Sequence, residues 1–295
     1  MAALAAAEAA VGDDLSRRLP SISESRVDGR SYTQCTRDWQ AAGADRAAVH
    51  EPFNQQYSSL IKRNMVRNKI LIFGDSITYG QRDLEMGGWV NRLRLALAHD
   101  SSITSCHVFN MGISGQTTTE ILERLSRECK GRVLDDANNI IVIAAGINDA
   151  QIKDGTILND EDAFKSNVRA LIEEARSFTD KVIYLGLTPV DDARTSPVLW
   201  DRSMAWKSAL IERYDTIISE ICSEMGVRYV YVYDQIDPAT NEDGLHPSEA
   251  GHVILAEIMG NVIYDYLKKA SPIAAAKAEK SMGGAIKSFF KTLFS

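Results

Sequence analysis

The chain has 295 residues, of which 45% are hydrophobic and 25% are charged, a composition typical of a globular protein. Its formal net charge of −7 provides no attraction for nucleic acid, so we expect no nucleic-acid partner. The four cysteines lack the spacing of metal ligands, and the sequence therefore predicts a reduced, cytoplasmic protein with no metal site: Cys35, Cys106, Cys129 and Cys222.

Three segments differ in their residue patterns. Residues 1–66 lack a sustained apolar period, so we expect a mostly disordered N-terminal extension, with a short helix near 37–49. Residues 67–269 carry the pattern of a folded domain. In residues 270–295, apolar side chains recur every three or four positions, which predicts an amphipathic tail. This tail is expected to contact a membrane surface, its own domain or a second subunit.

Strand and helix patterns alternate along the domain. Short apolar runs bounded by Gly, Asn and Asp indicate strands, and apolar residues at helical spacing indicate helices. In chain order the sequence predicts a strand in KILIFGD, a helix in GGWVNRLRLALAHD, a strand in SCHVFNMG, a helix in TTTEILERLSRECK, a strand in NNIIVIAAGIND, a helix in EDAFKSNVRALIEEARSF, a strand in KVIYLGLT, a helix over 202–225, a strand in VRYVYVYD and a helix over 247–268.

Repeated strand–helix units of this kind favour a parallel sheet with helices on both faces. The predicted fold is therefore an α/β, three-layer doubly wound sandwich of about five parallel strands, with the flavodoxin-like strand order 2-1-3-4-5. Ligands of such sheets bind at the carboxyl ends of the strands. The residues that follow each strand are therefore the first candidates for a functional site.

Polar groups suited to acyl transfer stand at those ends. Ser76 follows the first strand, and Asp243 and His246 follow the last. A serine hydroxyl is a weak nucleophile that needs a base within hydrogen-bond reach, and His246 can supply that base. Asp243 can accept the other ring N–H and stabilise the imidazolium that forms. We therefore predict a catalytic set of Ser76, His246 and Asp243.

The second and third strands supply candidate donors for an oxyanion. Gly115 follows the second strand, and Asn148 follows the third. The backbone N–H groups of Ser76 and Gly115 and the side-chain amide of Asn148 can together stabilise the negative charge of a tetrahedral intermediate. These three residues are the predicted oxyanion hole. Tyr79 and Trp200, near the same ends, are candidates for the substrate-binding wall.

In this order the clusters resemble the SGNH hydrolases, also called GDSL esterases and lipases. Ser76 matches that family's first block in GDSIT, Gly115 the second in GISGQT, and Asn148 the third in GIND. Asp243 and His246 match the last block in DGLHPS. The resemblance spans residues 68 to about 267. It implies attack of the serine on a small-molecule or lipid ester, or a thioester, without a metal or organic cofactor.

Each motif also has a structural interpretation. GDS is a common turn, Asn148 can cap a helix, and Pro247 suits a helix start, which would leave His246 as a flanking residue. His252 lies inside the last helix and is expected to be a packing or a surface residue. Two other classes of protein therefore stay open. One is a flavodoxin-like binding protein, and the other is a catalytically silent SGNH-fold module that binds glycans or a protein partner.

Overall fold

The computed structural model describes residues 67–100, 103 and 105–270, together with two short strands near the N-terminus. Those strands, Arg26–Val27 and Arg30–Ser31, pair antiparallel within the unit formed by residues 1–64. The helix expected near 37–49 and the tail beyond residue 270 lie outside the described residues. The division at 66 and 269 stays a prediction.

Five parallel strands form the central sheet. Its order is β2-β1-β3-β4-β5, which confirms the predicted fold and strand order. The cores of β1 and β3 are buried on both faces, as expected for strands covered by helices on each side. The strands are β1 Asn68–Gly74, β2 Cys106–Gly112, β3 Asn138–Ala144, β4 Val182–Leu185 and β5 Arg228–Val230.

Seven α-helices accompany the sheet in the described domain. Among the long helices, α2 packs against α7, while α3 packs against α4 and α4 against α6. None of the described helices is both long and apolar enough to cross a membrane. The helices are α1 Ser76–Tyr79, α2 Trp89–His99, α3 Thr118–Lys130, α4 Glu161–Arg176, α5 Asp192–Thr195, α6 Ser208–Met225 and α7 Glu249–Ala270.

One helix boundary differs clearly from the prediction. The helix expected from residue 202 begins at Ser208, because the preceding residues join a small antiparallel sheet. In that sheet Met204–Ala205 pairs with Ile152–Lys153, which also pairs with Thr156–Ile157. Buried Trp206 secures the segment, since its Nε1–H donates to the carbonyl of Ile147 over 3.0 Å.

The loop between α1 and α2 is anchored by a buried ion pair. Arg92 donates from Nε and Nη2 to the carboxylate of Asp83, over 2.6 and 2.9 Å, and both side chains are fully buried. The same carboxylate accepts the backbone N–H groups of Met86 and Gly88. A buried charge is tolerated when it is paired and hydrogen-bonded in this way. The pair therefore fixes a loop that would otherwise carry unsatisfied backbone groups next to the end of β1.

Candidate active site

Ser76 is held at the carboxyl end of the central strand. It is the first residue of α1, and the Asp75 carboxylate caps this helix by accepting the N–H of Ile77 over 2.9 Å. The helix lies close against β2 because residue 112 is glycine. A Cβ there would stand 2.3 Å from the backbone nitrogen of Tyr79. Asn110 on β2 also donates to the carbonyl of Thr78 over 2.9 Å, so it braces this helix.

A continuous line of side chains joins Ser76 to His246 and Asp243. Ser76 Oγ lies 2.9 Å from His246 Nε2, although the two residues are 170 positions apart in the chain. His246 Nδ1 lies 2.8 Å from Asp243 Oδ2, and all three side chains are buried. The structure thus brings together the serine, imidazole and carboxylate that the sequence nominated.

The Asp243 carboxylate is surrounded by donors. Its Oδ1 accepts the backbone N–H groups of Leu245 and His246, over 3.0 and 2.9 Å. Burial alone raises the pKa of Asp243, but the hydrogen bonds from His246 outweigh burial and hold the pKa below its ordinary value. Arg82 also donates from Nε to Oδ2 over 2.9 Å. Asp243 is therefore an anion that can accept a ring N–H from His246.

Besides Ser76 on α1, the candidate oxyanion donors Asn148 and Gly115 lie on two neighbouring loops. Asn148 uses one amide hydrogen to donate to the carbonyl of Gln116 over 3.0 Å, which fixes the direction of the amide. Gly115 adopts φ +82°, a conformation that favours glycine, while a Cβ there would meet nothing within 4 Å. The requirement for glycine at residue 115 is thus one of backbone conformation rather than of space.

Asp149 ties these two loops together. Its carboxylate accepts the backbone N–H and the hydroxyl of Thr118, and it accepts the side-chain amide of Asn159 over 2.6 Å. Burial raises the pKa of Asp149, and these bonds counteract that effect. Because Asp149 follows Asn148 and Thr118 begins α3, the contacts hold the Asn148 loop against the Gly115 loop. No cluster of His, Cys, Asp and Glu in the described part of the chain is suited to a metal ion.

His252 lies apart from this line and serves the fold. Its ring is fully buried, and Nδ1 accepts the backbone N–H of Trp89 over 3.2 Å. Nε2 lies 3.0 Å from the carbonyl of Gln81, to which it must donate. Burial lowers the pKa of His252, so the ring is held neutral in this tautomer. Of the two expected roles, packing agrees with these contacts.

The two proposed wall residues are both exposed. Tyr79 ends α1, three residues after Ser76, and is 61% exposed. Trp200 lies in the segment between α5 and α6 and is 51% exposed. Neither side chain takes part in the hydrogen-bonded cluster formed by the described residues. Their contact with substrate stays a prediction.

Two arginines at the site escaped the sequence reasoning. Arg124 is buried, and its Nη2 donates to the carbonyls of Met111 and Gly74, over 2.7 and 3.3 Å. Its Nε donates to the side chain of Gln116, so it braces the loop that carries Gly115. The sequence did offer a signal for Arg124, because it places this charged residue next to Leu125 on the apolar face of α3. Arg82 had no such signal, because its partner is distant in the sequence.

Comparison with known families decides the assignment. Residues 72–254 match the family described as GDSL-like lipase/acylhydrolase, which covers well over half of the chain. The chain belongs to the GDSL-like lipase/acylhydrolase family. The resemblance to SGNH hydrolases is thereby confirmed, and this family member is a GDSL-type enzyme that hydrolyses esters. A search of curated proteins gives no match.

Solved structures agree with this assignment. The lipase/acylhydrolase from Enterococcus faecalis is 25% identical, with a TM-score of 0.56 over 67% of this chain and 96% of that one. The acetylxylan esterase Axe2 from Geobacillus stearothermophilus is 22% identical, with a TM-score of 0.51 over 68% and 96%. LAE5, an alpha/beta hydrolase enzyme from the Lake Arreo metagenome, is 21% identical, with a TM-score of 0.51 over 66% and 94%. The latter two show the shared fold.

A small cavity lies beside Asp75 and is lined mostly by apolar residues near the ends of β1, β3 and β4. It measures about 20 Å³. Three lining side chains present a buried polar atom without a hydrogen-bond partner among the described residues, namely Thr78 Oγ1, Trp89 Nε1 and Thr188 Oγ1. A cavity of this volume is large enough for one water molecule. Burial raises the pKa of Asp75 to about 6, against the lowering effect of the Ile77 N–H.

Replacing Asp75 by Asn is expected to stabilise the protein at neutral pH. An acid whose pKa is raised in the folded state binds more protons there than when unfolded, so stability falls as pH rises from about 4 to 6. Asp75→Asn removes this loss and should raise the free energy of unfolding by up to about 3 kcal/mol at pH 7.5. Urea unfolding at pH 7.5 and pH 4 measures the effect.

The gain should shrink to roughly 0.5 kcal/mol at pH 4, where Asp75 is protonated in the folded state and about half ionised in the unfolded state. Asp162→Asn serves as the control, because the Asp162 side chain is almost fully exposed. If Asp75→Asn destabilised the protein equally at both pH values, ionisation of the buried Asp75 carboxylate would not lower the free energy of unfolding as expected.

Proposed function

We propose that this protein is a serine esterase that cleaves carboxylic esters, or thioesters, through an acyl-enzyme on Ser76. The observation that carries the proposal is the line from Ser76 Oγ through His246 to Asp243, with distances of 2.9 and 2.8 Å. Both distances are within the range of strong hydrogen bonds. Family membership supports ester hydrolysis, and the geometry supports this set of residues.

The tautomer of His246 follows from its neighbours. Because the Asp243 carboxylate only accepts hydrogen bonds, His246 Nδ1 carries the proton, which leaves the Nε2 lone pair for the Ser76 hydroxyl. As Ser76 Oγ attacks the ester carbonyl carbon, its proton passes to Nε2. The resulting imidazolium is stabilised by Asp243. Collapse of the tetrahedral intermediate then expels the alcohol, which takes the proton from Nε2.

Water completes the cycle by the same route. His246 removes a proton from the water as its oxygen attacks the acyl carbon, and a second tetrahedral intermediate forms. When that intermediate collapses, the bond to Ser76 Oγ breaks and the proton returns to the serine. The products are the free acid and the original hydroxyl, so no cofactor or metal is required.

The oxyanion of both intermediates would be held by three donors. The Asn148 amide keeps one N–H after bonding to the Gln116 carbonyl, and the backbone N–H groups of Ser76 and Gly115 supply the others. These donors are preorganised by the Asp149 bridge between their loops. Fixed donors stabilise charge that develops in the transition state without reorganising when it forms.

The substrate class is proposed as a small-molecule or lipid ester. Among the structural neighbours are a lipase/acylhydrolase and an acetylxylan esterase. A series of p-nitrophenyl esters of increasing acyl length, followed by acetylated sugars, would rank these chemistries.

The three cysteines of the described domain are free thiols, which agrees with the predicted cytoplasmic location.

Ser76→Ala should abolish hydrolysis without unfolding the protein. Loss of a catalytic serine lowers kcat by about 10⁴- to 10⁶-fold. The substitution removes one hydroxyl and should leave Tm nearly unchanged. A fluorophosphonate probe should label wild type and Ser177→Ala, in which a distant serine on the end of α4 is replaced, but not Ser76→Ala. A wild-type protein that resists the probe and hydrolyses no ester would favour the silent binding module.

His246→Ala and His252→Ala should fail in different ways. His246→Ala removes the base, so kcat should approach that of Ser76→Ala. His252→Ala leaves the buried N–H of Trp89 and the partly buried carbonyl of Gln81 without a partner, and should lower the free energy of unfolding by about 1–3 kcal/mol. Its folded fraction should retain turnover. The opposite ranking in kcat at a temperature where both are folded would overturn the assignment of the base.

Asn148→Ala should act on the transition state. Loss of one oxyanion donor lowers kcat by about 10²- to 10³-fold, with a smaller effect on KM. Steady-state kinetics on a p-nitrophenyl ester measures both constants. An effect confined to KM would make Asn148 a residue that binds the ground state.

A further inference from the structure

Arg82 and His246, the proposed catalytic base, both donate a hydrogen bond to the same oxygen atom of Asp243. Arg82 Nε donates to Asp243 Oδ2 over 2.9 Å, and the same oxygen accepts His246 Nδ1–H over 2.8 Å. Since Oδ1 already accepts two backbone N–H groups, the carboxylate receives four hydrogen bonds. Among the described residues, Arg82 is the one donor to Asp243 that comes from outside the turn of Asp243 and His246. It therefore links this turn to the loop that follows the nucleophile.

The backbone of Arg82 is in a costly conformation. Its φ is +75°, in the left-handed region, which costs a residue with a Cβ on the order of 1 kcal/mol or more. Glycine would adopt this conformation without the cost. An arginine at such a position indicates that its side chain has a role that a glycine could not fill.

The neighbours of Arg82 enforce that conformation from both sides. Gln81 donates its N–H to the carbonyl of Ser76 over 3.0 Å and accepts Nε2–H of His252 over 3.0 Å. On the other side, Asp83 is fixed by the buried ion pair with Arg92. The chain is thus anchored on either side of Arg82, and the side chain between the anchors reaches Asp243.

We propose that Arg82 is a positioning residue of the acid–base pair, holding the Asp243 carboxylate in the orientation that directs His246 Nε2 at Ser76. The inference rests on the proposed function, since it assigns Arg82 a role only through Asp243 and His246. The Arg82 side chain is 42% exposed, and its Nη1 lies 3.7 Å from Glu242 Oε2, its other acidic neighbour. A surface pair of that length contributes little by itself.

The test compares three substitutions at residue 82 with a matched control. Arg82→Gln removes the charge but keeps a donor, Arg82→Lys keeps the charge but loses the Nε geometry, and Arg82→Gly removes the side chain and the backbone cost. Arg213→Ala is the control, because Arg213 is similarly exposed, at 44%, and pairs with Glu161 away from the site. For each full-length variant, kcat and KM are measured from pH 5 to 9, together with Tm.

Arg82→Gln and Arg82→Gly should lower kcat about tenfold with KM within about twofold, because the interaction acts on orientation of the base. Arg82→Lys should give an intermediate kcat, because it keeps the charge but not the Nε geometry. Arg82→Gly should melt no lower than Arg82→Gln, and Arg213→Ala should match wild type.

Any other pattern overturns the inference, including a change confined to Tm or KM, as a merely structural arginine would give. Should Arg82→Gln not fold, Arg82→Gly answers the same question, because glycine suits the backbone at that position. Ser76→Ala and His246→Ala are assayed in parallel. If both are inactive while the Arg82 variants match wild type, the role of Arg82 fails and the proposed function stands; if both stay active, the proposed function itself fails.

Discussion

The hydrogen-bonded ladders on either side of β1 are the constraint on which the site depends. From Asn68 to Gly74, each residue of this strand is level with one residue of β2 and one of β3. Gly74 is therefore level with both Gly112 and Ala144, and three loops leave the sheet at the same height. Residues far apart in the chain meet there because the strands are parallel and in register. The chemistry of the site is a consequence of that alignment.

Much of this architecture was readable from short patterns. The apolar runs of β1 and β3 are buried on both faces, so their composition reports their position at the centre of a parallel sheet. The polar side chains that follow β1, β3 and β5 combine a hydroxyl, an amide and an imidazole, which made Ser76, Asn148 and His246 visible as candidates. The capping box of Thr117 and Glu120 likewise marks the start of α3 at the expected place.

Features that depend on contacts between distant residues were not readable. The start of α6 was placed too early, because residues 204–205 pair with a strand some fifty positions earlier, and helical spacing carries no trace of that pairing. The contact between Arg82 and Asp243 spans 161 positions and requires a backbone conformation that nothing in the local residues demands. Arg124 is intermediate, since a charge on an apolar face indicates a buried partner but does not name it.

Asp243 and His246 lie on one turn, three residues apart, and their mutual hydrogen bonds are local. The hydrogen bond to Ser76 instead joins that turn to the other end of the domain. The turn leads directly into α7, which packs on α2, so the line from Ser76 to Asp243 is complete only while the last helix is docked. Partial detachment of that helix would separate Ser76 from His246 while leaving the sheet intact. We therefore expect activity to be lost on heating before the sheet unfolds.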